Sequence, residues 1–156
     1  MAAKRKIICY IAISLDGYIA TENDSLDWLL KTESEGDAGY AEFIDTIDTV
    51  IMGRRTYDWV MEMEKGDFPY SDKVCYVYTT AASGKNEYVQ FTDETVKTFA
   101  DKLKKQEGKN IWVVGGSKLL QQFMKEKLID EFIISIAPTI IGKGIPLFQK
   151  LEFEIK

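Results

Sequence analysis

The sequence predicts an α/β fold built on a largely parallel central sheet, and three observations support this prediction. Apolar runs typical of strands buried on both faces alternate along the chain with segments of helical periodicity. Glycine and polar residues separate these segments, as they do at turns between strands and helices. The 156 residues contain no internal repeat, linker or low-complexity tract, and 46% of them are hydrophobic. Residues 1–156 are therefore predicted to form a single domain with a sizeable core.

The first strand is predicted at residues 6–14, because KIICYIAIS is a nearly continuous apolar run rich in isoleucine. Asp16-Gly17 then predicts a turn. A helix follows at 38–47, where aromatic and isoleucine side chains recur at helical spacing. The remaining elements of the first half are a short buried strand at 49–52, a helix at 56–63 and a strand at 74–79.

The second half continues the alternation of strands and helices. Good strand formers predict a short strand at 86–91. Thr92 or Asp93 is predicted to cap a helix that extends to about Glu107, and Gly108 suits its end. Further predicted elements are a strand at 111–114, a helix at 117–125, a strand at 131–137 and a last strand around Ile155.

The composition excludes several chemistries. The chain has no histidine, so it has neither a Ser-His-Asp triad nor a Cys-His pair, and two cysteines with carboxylates make a poor zinc site. No metal site is predicted. Cys9 and Cys75 lie in strand-like apolar runs and are predicted to be buried free thiols of a reducing compartment. A net charge of −5 argues against a broad nucleic-acid surface, so any anion site must be local.

The N-terminal apolar run is too short to cross a membrane. Ser14 and Asp16 interrupt the run that follows Lys6, and no small-residue cleavage site accompanies it. We therefore expect no signal peptide, and we expect a cytoplasmic protein without membrane or nucleic-acid partners.

Three polar segments lie where buried strands are predicted to end. They are Ser14–Gly17 (SLDG), Gly53–Thr56 (GRRT) and Gly115–Lys118 (GGSK). In open parallel sheets, ligands bind at the carboxyl ends of the strands, so these segments are the candidate functional positions.

The GGSK segment joins a strand to a helix through two glycines. Glycine lets another molecule approach the backbone, and the helix start offers N–H groups that can hold a phosphate. A simple tight turn is the structural alternative. The chain has no G-x-G-x-x-G spacing, so a conventional dinucleotide-binding fold is disfavoured.

The GRRT and SLDG segments offer charged groups at two other strand ends. Arg54 and Arg55 can bind phosphate oxygens through paired donors, and Thr56 can cap the next helix or contact phosphate itself. The alternative is a capped helix with two solvated arginines. Asp16 can orient a substrate or handle a proton, and its alternative is an Asp-Gly turn.

Taken together, these segments resemble the dihydrofolate reductase fold superfamily, and the resemblance covers nearly the whole chain. It is carried by VIMGRRTYDWV, IWVVGGSKLLQQFM and VCYVYTT. SLDGYIA and LIDEFIISIAPTIIGKGIPLF are similar to the C-terminal reductase domain of the riboflavin-pathway enzyme, RibD. The resemblance implies a three-layer α-β-α fold whose mostly parallel sheet has an antiparallel C-terminal edge. Only QKLEFEIK follows GKGIPLF, so the final hairpin of this fold is expected to be short or missing.

The resemblance also implies NADPH as the cofactor. An arginine pair suits an extra phosphate dianion, so we expect a preference for NADPH over NADH. The turn at Gly115-Gly116, commonly a cis peptide in this superfamily, would lead into a helix at the pyrophosphate. The implied cofactor residues are Ala12 and Ile19 near the nicotinamide, Gly53, Arg54, Arg55 and Thr56 at the adenosine-side phosphates, Thr79 and Thr80 near the adenosine, and Gly115, Gly116, Ser117 and Lys118 at the pyrophosphate.

On the substrate side, the resemblance implies Ser14, Asp16 and Val114, with Asp16 as the catalytic proton donor or the substrate anchor. Trp28 resembles a tryptophan beside the substrate cleft, and a core aromatic is the alternative. Asp37 falls near the position of the pterin-binding carboxylate of dihydrofolate reductase, and a helix N-cap is the favoured alternative.

These residues predict an NADPH-dependent reductase that transfers hydride to a small heterocyclic or ribosylaminopyrimidine substrate. Its activity would be similar to that of the 5-amino-6-(5-phosphoribosylamino)uracil reductase of riboflavin biosynthesis. The alternatives are dihydrofolate reductase and a non-catalytic NADP(H)-binding protein. The apolar run FIISIAPTII also predicts a homodimer, with a buried core strand as the alternative.

Overall fold

The computed structural model describes residues 5–21, 39–63, 70, 72–79, 89–148 and 154. Strands and helices alternate along most of this part of the chain, as predicted. In chain order the elements are β1 (Ile7–Ser14), β2 (Tyr18–Ala20), α1 (Tyr40–Asp45), β3 (Ile47–Gly53), α2 (Arg54–Met63), β4 (Val74–Tyr78), β5 (Gln90–Thr92), α3 (Val96–Lys104), β6 (Asn110–Gly115), α4 (Ser117–Lys125), β7 (Glu131–Ala137) and β8 (Ile145–Pro146).

A central sheet joins six of these strands in the order β5-β4-β3-β6-β1-β7. Every neighbouring pair in it is parallel. β8 pairs with β2 in a separate antiparallel sheet of two strands. The predicted α/β class with a mostly parallel sheet is confirmed. Within the described residues, the antiparallel C-terminal part is this small sheet and lies beside the central one.

The core has two layers, one on each face of the central sheet. In β1, Ile7 points to one face and Ile8 to the other, as the two-residue period of a strand requires. Helices α3 and α4 cover the first face, and α1 and α2 cover the second face, so the domain has three layers. The buried helix residues are Val96, Phe99, Ala100, Leu103, Leu119, Leu120, Phe123 and Met124 on the first face, and Phe43, Tyr57 and Val60 on the second.

Two helix boundaries on the second face differ from the prediction. The helix predicted at 38–47 ends at Asp45, because Ile47 already belongs to β3 and is buried in the core. α2 begins at Arg54, earlier than the predicted Thr56, so the helix starts directly at the end of β3. The arginines of the GRRT segment therefore belong to the first turn of a helix.

The helix predicted from Asp93 begins later, at Val96. Thr95 is its N-cap and accepts a hydrogen bond from the Thr98 amide, so the predicted capping by Thr92 or Asp93 is wrong. Thr92 instead ends β5, where it is paired with β4. β5 therefore extends to Thr92, and α3 begins only after this strand has ended.

Several predicted elements fall outside the described residues. They are part of the strand at 86–91, the strand around Ile155 and the final hairpin. Among the described helices, none is both long enough and apolar enough to span a membrane.

The cysteines are buried free thiols, as predicted. Burial raises the pKa of Cys9 and of Cys75 to about 12, so neither thiol is a nucleophile at neutral pH. In the described part of the chain, no group of histidine, cysteine, aspartate and glutamate side chains could hold a metal ion.

A buried arginine holds the amino-terminal end of the sheet together. Arg5 is 4% exposed. Its guanidinium donates to the carbonyl oxygens of Leu103 and Lys109 at 2.9 and 2.7 Å, and to Asp48 Oδ1 and Thr49 Oγ1, both at 2.7 Å. These bonds join the residues before β1 to β3 and to the end of α3. Because every guanidinium nitrogen has a protein acceptor, this end of the sheet is closed by its own polar groups.

Candidate active site

The carboxyl ends of the parallel strands meet at one edge of the sheet, and the three candidate segments lie there. SLDG starts with Ser14 at the end of β1, GRRT with Gly53 at the end of β3, and GGSK with Gly115 at the end of β6. Because β6 lies between β3 and β1, GGSK is in the middle of the group. Segments that are far apart in the sequence therefore become neighbours along one edge.

GRRT and GGSK meet through their backbones. Met52 of β3 is paired with Gly115, and a Cβ placed on Gly53 would lie 3.6 Å from the Gly116 nitrogen. A Cβ on Gly116 would lie 3.5 Å from Thr56 Oγ1. Gly115 has a φ of +137°, which side chains rarely allow, and the Gly115–Gly116 peptide bond is cis. The two turns form one continuous backbone surface, which we call the glycine surface (Gly53, Gly115 and Gly116).

Two helices begin at the glycine surface. α2 starts at Arg54 after β3, and α4 starts at Ser117 after its N-cap residue Gly116. Neither helix has an acidic residue in its first turn, and Gly116 has no side chain that could accept from the first N–H groups of α4. The positive ends of two helix dipoles therefore lie at the same edge, which favours an anion such as phosphate.

Cationic side chains surround these helix starts. Arg54, Arg55 and Lys118 are all exposed. Arg54 Nε donates to Asp58 Oδ1 at 3.0 Å, and its guanidinium carbon lies 5.5 Å from the centre of the Phe91 ring. Three cationic side chains thus lie in the first turns of these helices, in a chain whose net charge is −5.

Thr79 lies at the same edge of the sheet, on the side of β5. It directly follows β4, and its amide donates to the Thr92 carbonyl at 3.0 Å. Tyr78, the residue before it, is paired with Gly53. Thr79 therefore lies one strand away from the glycine surface, on the side where Arg54 approaches Phe91.

β1 and β6 separate as they approach the same edge. They are paired only over their first residues, up to Ile8 and Trp112, whereas β1 is paired with β7 along its length to Ser14. Beyond the short ladder, the Trp112 indole N–H donates to the Tyr10 carbonyl at 3.1 Å. In the register of this ladder, residues 113–115 of β6 would lie opposite residues 9–11 of β1, and within the described residues the two strands are not paired there or farther along. We call this unpaired region the β1–β6 gap.

Ala12 and Val114 border the β1–β6 gap on the second face of the sheet. The alternation of β1 places the Ala12 side chain on the same face as Ile8 and Tyr10, and Val114 packs against that cluster. The Tyr10 carbonyl points toward β6, so the backbone of Ala12, one strand period later, points there as well. A flat ring beside Ala12 could therefore be held by backbone hydrogen bonds.

Ser14 and Asp16 form a hydrogen-bonded turn at the end of β1. The buried Ser14 Oγ donates to Asp16 Oδ1 at 2.6 Å and accepts from the Tyr18 amide at 2.9 Å. Asp16 also accepts from the Ile141 and Gly142 amides, at 3.3 and 2.9 Å. The bond from Ser14, helped by these amides, outweighs desolvation and lowers the pKa of the Asp16 carboxyl. A deprotonated Asp16 suits anchoring better than proton donation, and its catalytic role stays a prediction.

Other predicted residues are not part of this group. Ile19 lies in β2 and packs against the first-face cluster, so its position near the nicotinamide stays a prediction. Trp28, Asp37 and Thr80 lie outside the described residues, and their roles stay predictions as well.

Two contributors to the site are not evident from the sequence. Trp112 bridges to β1 through its indole N–H, and the only signal is that a tryptophan in a buried strand needs a partner for that group. The loop after β7 donates two amides to Asp16, and no local pattern indicates this because its partner lies in a distant turn.

The fold is dihydrofolate reductase-like. The structure is similar to a dihydrofolate reductase from Enterococcus faecalis in complex with NADP(H), with a TM-score of 0.65 and 17% identity over 96% of this chain and 80% of that chain. It is also similar to a diaminohydroxyphosphoribosylaminopyrimidine deaminase/5-amino-6-(5-phosphoribosylamino)uracil reductase from Thermotoga maritima, with a TM-score of 0.70 and 17% identity over 98% of this chain and 51% of that chain. At these identities the similarity shows the fold.

The chain belongs to the RibD C-terminal domain family, whose model matches residues 5–156. A candidate riboflavin biosynthesis protein from Shewanella sp. PV-4 has a TM-score of 0.84 and 32% identity over 100% of this chain and 88% of that chain. "Uncharacterized protein YwjB" of Bacillus subtilis (strain 168) is 50% identical over 154 residues, 98% of this chain and 88% of that protein. The predicted family is confirmed, and it supports a reductase-type function.

Proposed function

We propose that this chain is a cytoplasmic, NADPH-dependent reductase that transfers hydride to a small heterocyclic substrate, above all a ribosylaminopyrimidine of the riboflavin pathway. The observation that carries the proposal is the position of the β1–β6 gap beside two helix starts and three cationic side chains. An anion-binding surface next to an opening for a flat ring suits a cofactor that contains both phosphates and a nicotinamide.

The residues at this edge fit such a cofactor. The three residues of the glycine surface carry no side chains of their own, so a pyrophosphate can approach the backbone there. Arg54 and Arg55 present paired guanidinium donors that suit the adenosine-side phosphate. The residues proposed to hold NADPH are Ala12, Ile19, Gly53, Arg54, Arg55, Thr56, Thr79, Thr80, Gly115, Gly116, Ser117 and Lys118.

The protein's contribution to the reaction is position and exclusion of water. NADPH, when bound, supplies the hydride. Ala12 and Val114 would hold the nicotinamide ring and the substrate in the β1–β6 gap. Ser14 would form the end of this gap. We assign the proton to a water molecule and not to Asp16, because the bonds to Asp16 keep its carboxyl deprotonated.

Family membership supports a ribosylaminopyrimidine over dihydrofolate as the substrate. The RibD C-terminal model matches nearly the whole chain, and the Thermotoga maritima neighbour is described as a 5-amino-6-(5-phosphoribosylamino)uracil reductase. Dihydrofolate is the second candidate, since the fold is shared with dihydrofolate reductase. A non-catalytic NADP(H)-binding protein is the alternative of another class.

The test follows the loss of NADPH absorbance with 5-amino-6-(5-phosphoribosylamino)uracil, with dihydrofolate and without substrate. Turnover of the aminouracil is the expected result. Turnover of dihydrofolate alone would instead identify a dihydrofolate reductase. NADPH binding without turnover of either compound would favour the non-catalytic alternative, and a failure to bind NADPH would contradict the proposal.

We also propose a homodimer that forms through β7. Within the described residues β7 is an edge of the central sheet, and its Ile133 and Ile136 are 39% and 60% exposed. Apolar side chains on an open edge favour association. Light scattering at micromolar concentration should report a dimer for the protein and a monomer for Ile136→Lys. A monomeric parent protein would refute the dimer.

A further inference from the structure

We propose that Asp16 is a positioning residue whose carboxylate clasps the loop after β7 onto the end of β1 and thereby sets the β1 wall of the β1–β6 gap. This inference rests on the proposed function, because the gap is where the cofactor ring would bind. It replaces a direct role of Asp16 in the chemistry with a role that acts through the backbone of two other segments.

We call the hydrogen-bonded contact at Asp16 the clasp. It joins the turn at 15–20 to the loop at 139–147. Asp16 accepts from the Ile141 and Gly142 amides. On one side of Asp16, the Leu15 amide donates to the Thr139 carbonyl at 2.8 Å, and β2 pairs with β8 on the other side. Asp16 accepts both of these bonds through its side chain, whereas the Leu15–Thr139 bond and the β2–β8 pairing join backbone groups.

The loop is shaped to receive an acceptor. Its Ile141 and Gly142 present two successive amides to Asp16, and the φ of +83° at Gly142 turns the chain directly after them. Gly144 lies so close to the Ala20 carbonyl that any side chain there would overlap it. Only a group with two acceptor oxygens and no donor can satisfy both amides and the Ser14 hydroxyl at once, and a carboxylate is such a group.

The clasp lies directly beside the gap. Ser14, which donates to Asp16, is the last residue of β1 and is fully buried. β1 has little support from β6 along the gap, so its position there depends on β7, with which it is paired to Ser14. Asp16 ties the loop that leaves β7 to the turn that leaves β1. Loss of this tie would let the β1 wall shift at the point where Ala12 faces the gap.

The exposure of Asp16 makes the inference testable, because substitution there leaves the core intact. The experiment compares Asp16→Ala and Asp16→Asn with Asp45→Ala, which removes an exposed carboxylate at the end of α1. Amide exchange at Ile141 and Gly142 is measured by NMR, and NADPH affinity by fluorescence. Turnover of 5-amino-6-(5-phosphoribosylamino)uracil is measured at saturating NADPH.

A positioning role predicts faster exchange of both amides in Asp16→Ala and a loss of NADPH affinity of about tenfold. Asp16→Asn keeps one acceptor oxygen, so its affinity should be intermediate and most of its rate at saturating NADPH should remain. Asp45→Ala should match the parent protein in all measurements.

Two results would overturn the inference. One is parent-like amide exchange and NADPH affinity in Asp16→Ala. The other is an Asp16→Asn variant that binds NADPH normally but has lost turnover, because that pattern belongs to a group acting on the reacting atoms. If the parent protein binds no NADPH, the proposed function fails, and amide exchange still decides whether Asp16 holds the loop.

Discussion

Arginine side chains have opposite surroundings at the two ends of the central sheet. At the amino end, the guanidinium of Arg5 is buried and donates to four groups of the protein. At the carboxyl end, Arg54 and Arg55 are exposed beside the glycine surface and the starts of two helices. A buried guanidinium with all its acceptors in place stabilises the fold, whereas an exposed one can exchange its present contacts for those of an anion.

This difference separates the end of the sheet that stabilises the fold from the end that is proposed to bind NADPH. The amino end joins β1, β3 and the end of α3, so a change there should lower the free energy of unfolding. The carboxyl end has glycines, helix starts and separated strands, so a change there should alter NADPH binding first. The following variants test this division between stability and binding.

The largest effect is expected for Arg5→Ala. It removes the guanidinium that donates to Asp48, Thr49 and two carbonyl oxygens, which should lower the free energy of unfolding by about 3 kcal/mol in urea titrations. Lys97→Ala is the control, since it removes an exposed 3.3 Å ion pair with Asp101 and should cost less than about 1 kcal/mol. If Arg5→Ala weakened NADPH binding at temperatures where it stays folded, the division would fail.

Gly115→Ala should mainly affect binding. Alanine is strained at a φ of +137°, and relief of that strain would distort the glycine surface, so NADPH affinity should fall more than about tenfold. Gly39→Ala is the matched control, because Gly39 has a φ of +82° and open space around it. Both variants lose some stability, and only Gly115→Ala should lose NADPH affinity in titrations. Equal affinities would show that the glycine surface holds no cofactor.

Arg54→Ala and Arg55→Ala should each weaken NADPH binding by about tenfold and NADH binding less, since charge-assisted hydrogen bonds to the extra phosphate would be lost. Titration with both nucleotides measures the preference. Asp58→Ala removes the 3.0 Å partner of Arg54 and should leave the preference in place. An unchanged NADPH/NADH preference in both arginine variants would refute their assignment.

The smallest effect is a pH dependence at the amino end. Burial would raise the pKa of the Asp48 carboxyl, but hydrogen bonds from Lys109 and Thr49 and the charge of Arg5 outweigh it and hold this pKa below its usual value. The carboxylate therefore stabilises the fold above about pH 4 and loses this contribution as the pH falls through the lowered pKa.

Unfolding of the parent protein and of Asp48→Asn as a function of pH measures this contribution. Asp48→Asn should be less stable at neutral pH and should show a flatter loss of stability in acid. Asp45→Asn, an exposed aspartate, should keep the parent's acid slope. A parent-like slope in Asp48→Asn would remove Asp48 from the stabilising network.

The fold class and most strands could be predicted from local pattern. KIICYIAIS and IWVV are apolar runs that suit only a strand buried on both faces, and both became central strands. The cap of α3 could not be predicted in the same way. Thr92, Asp93 and Thr95 are all good N-caps, and the choice depends on how far β5 pairs with β4 before the helix begins.

The segments of the candidate site could be predicted from the sequence, but their positions relative to one another could not. Strand ends with glycine, arginine or aspartate could be found in the sequence because glycine and aspartate mark turns and arginine binds anions. The contact between Gly53 and Gly116 depends on β3 and β6 being neighbours. The bonds from Ile141 and Gly142 to Asp16 depend on β7 lying beside β1.

The alternation of strands and helices can therefore be predicted from the sequence alone, and so can the chemical groups at each strand end. Both depend on side chains a few residues apart. Only the tertiary structure decided the order of the strands, the separation of β1 from β6 and the partners of Asp16 and Trp112. Many of those features arise from hydrogen bonds between residues distant in the sequence, such as Trp112 with Tyr10. No local periodicity encodes such pairings, since they depend on which faces pack together once the chain has folded.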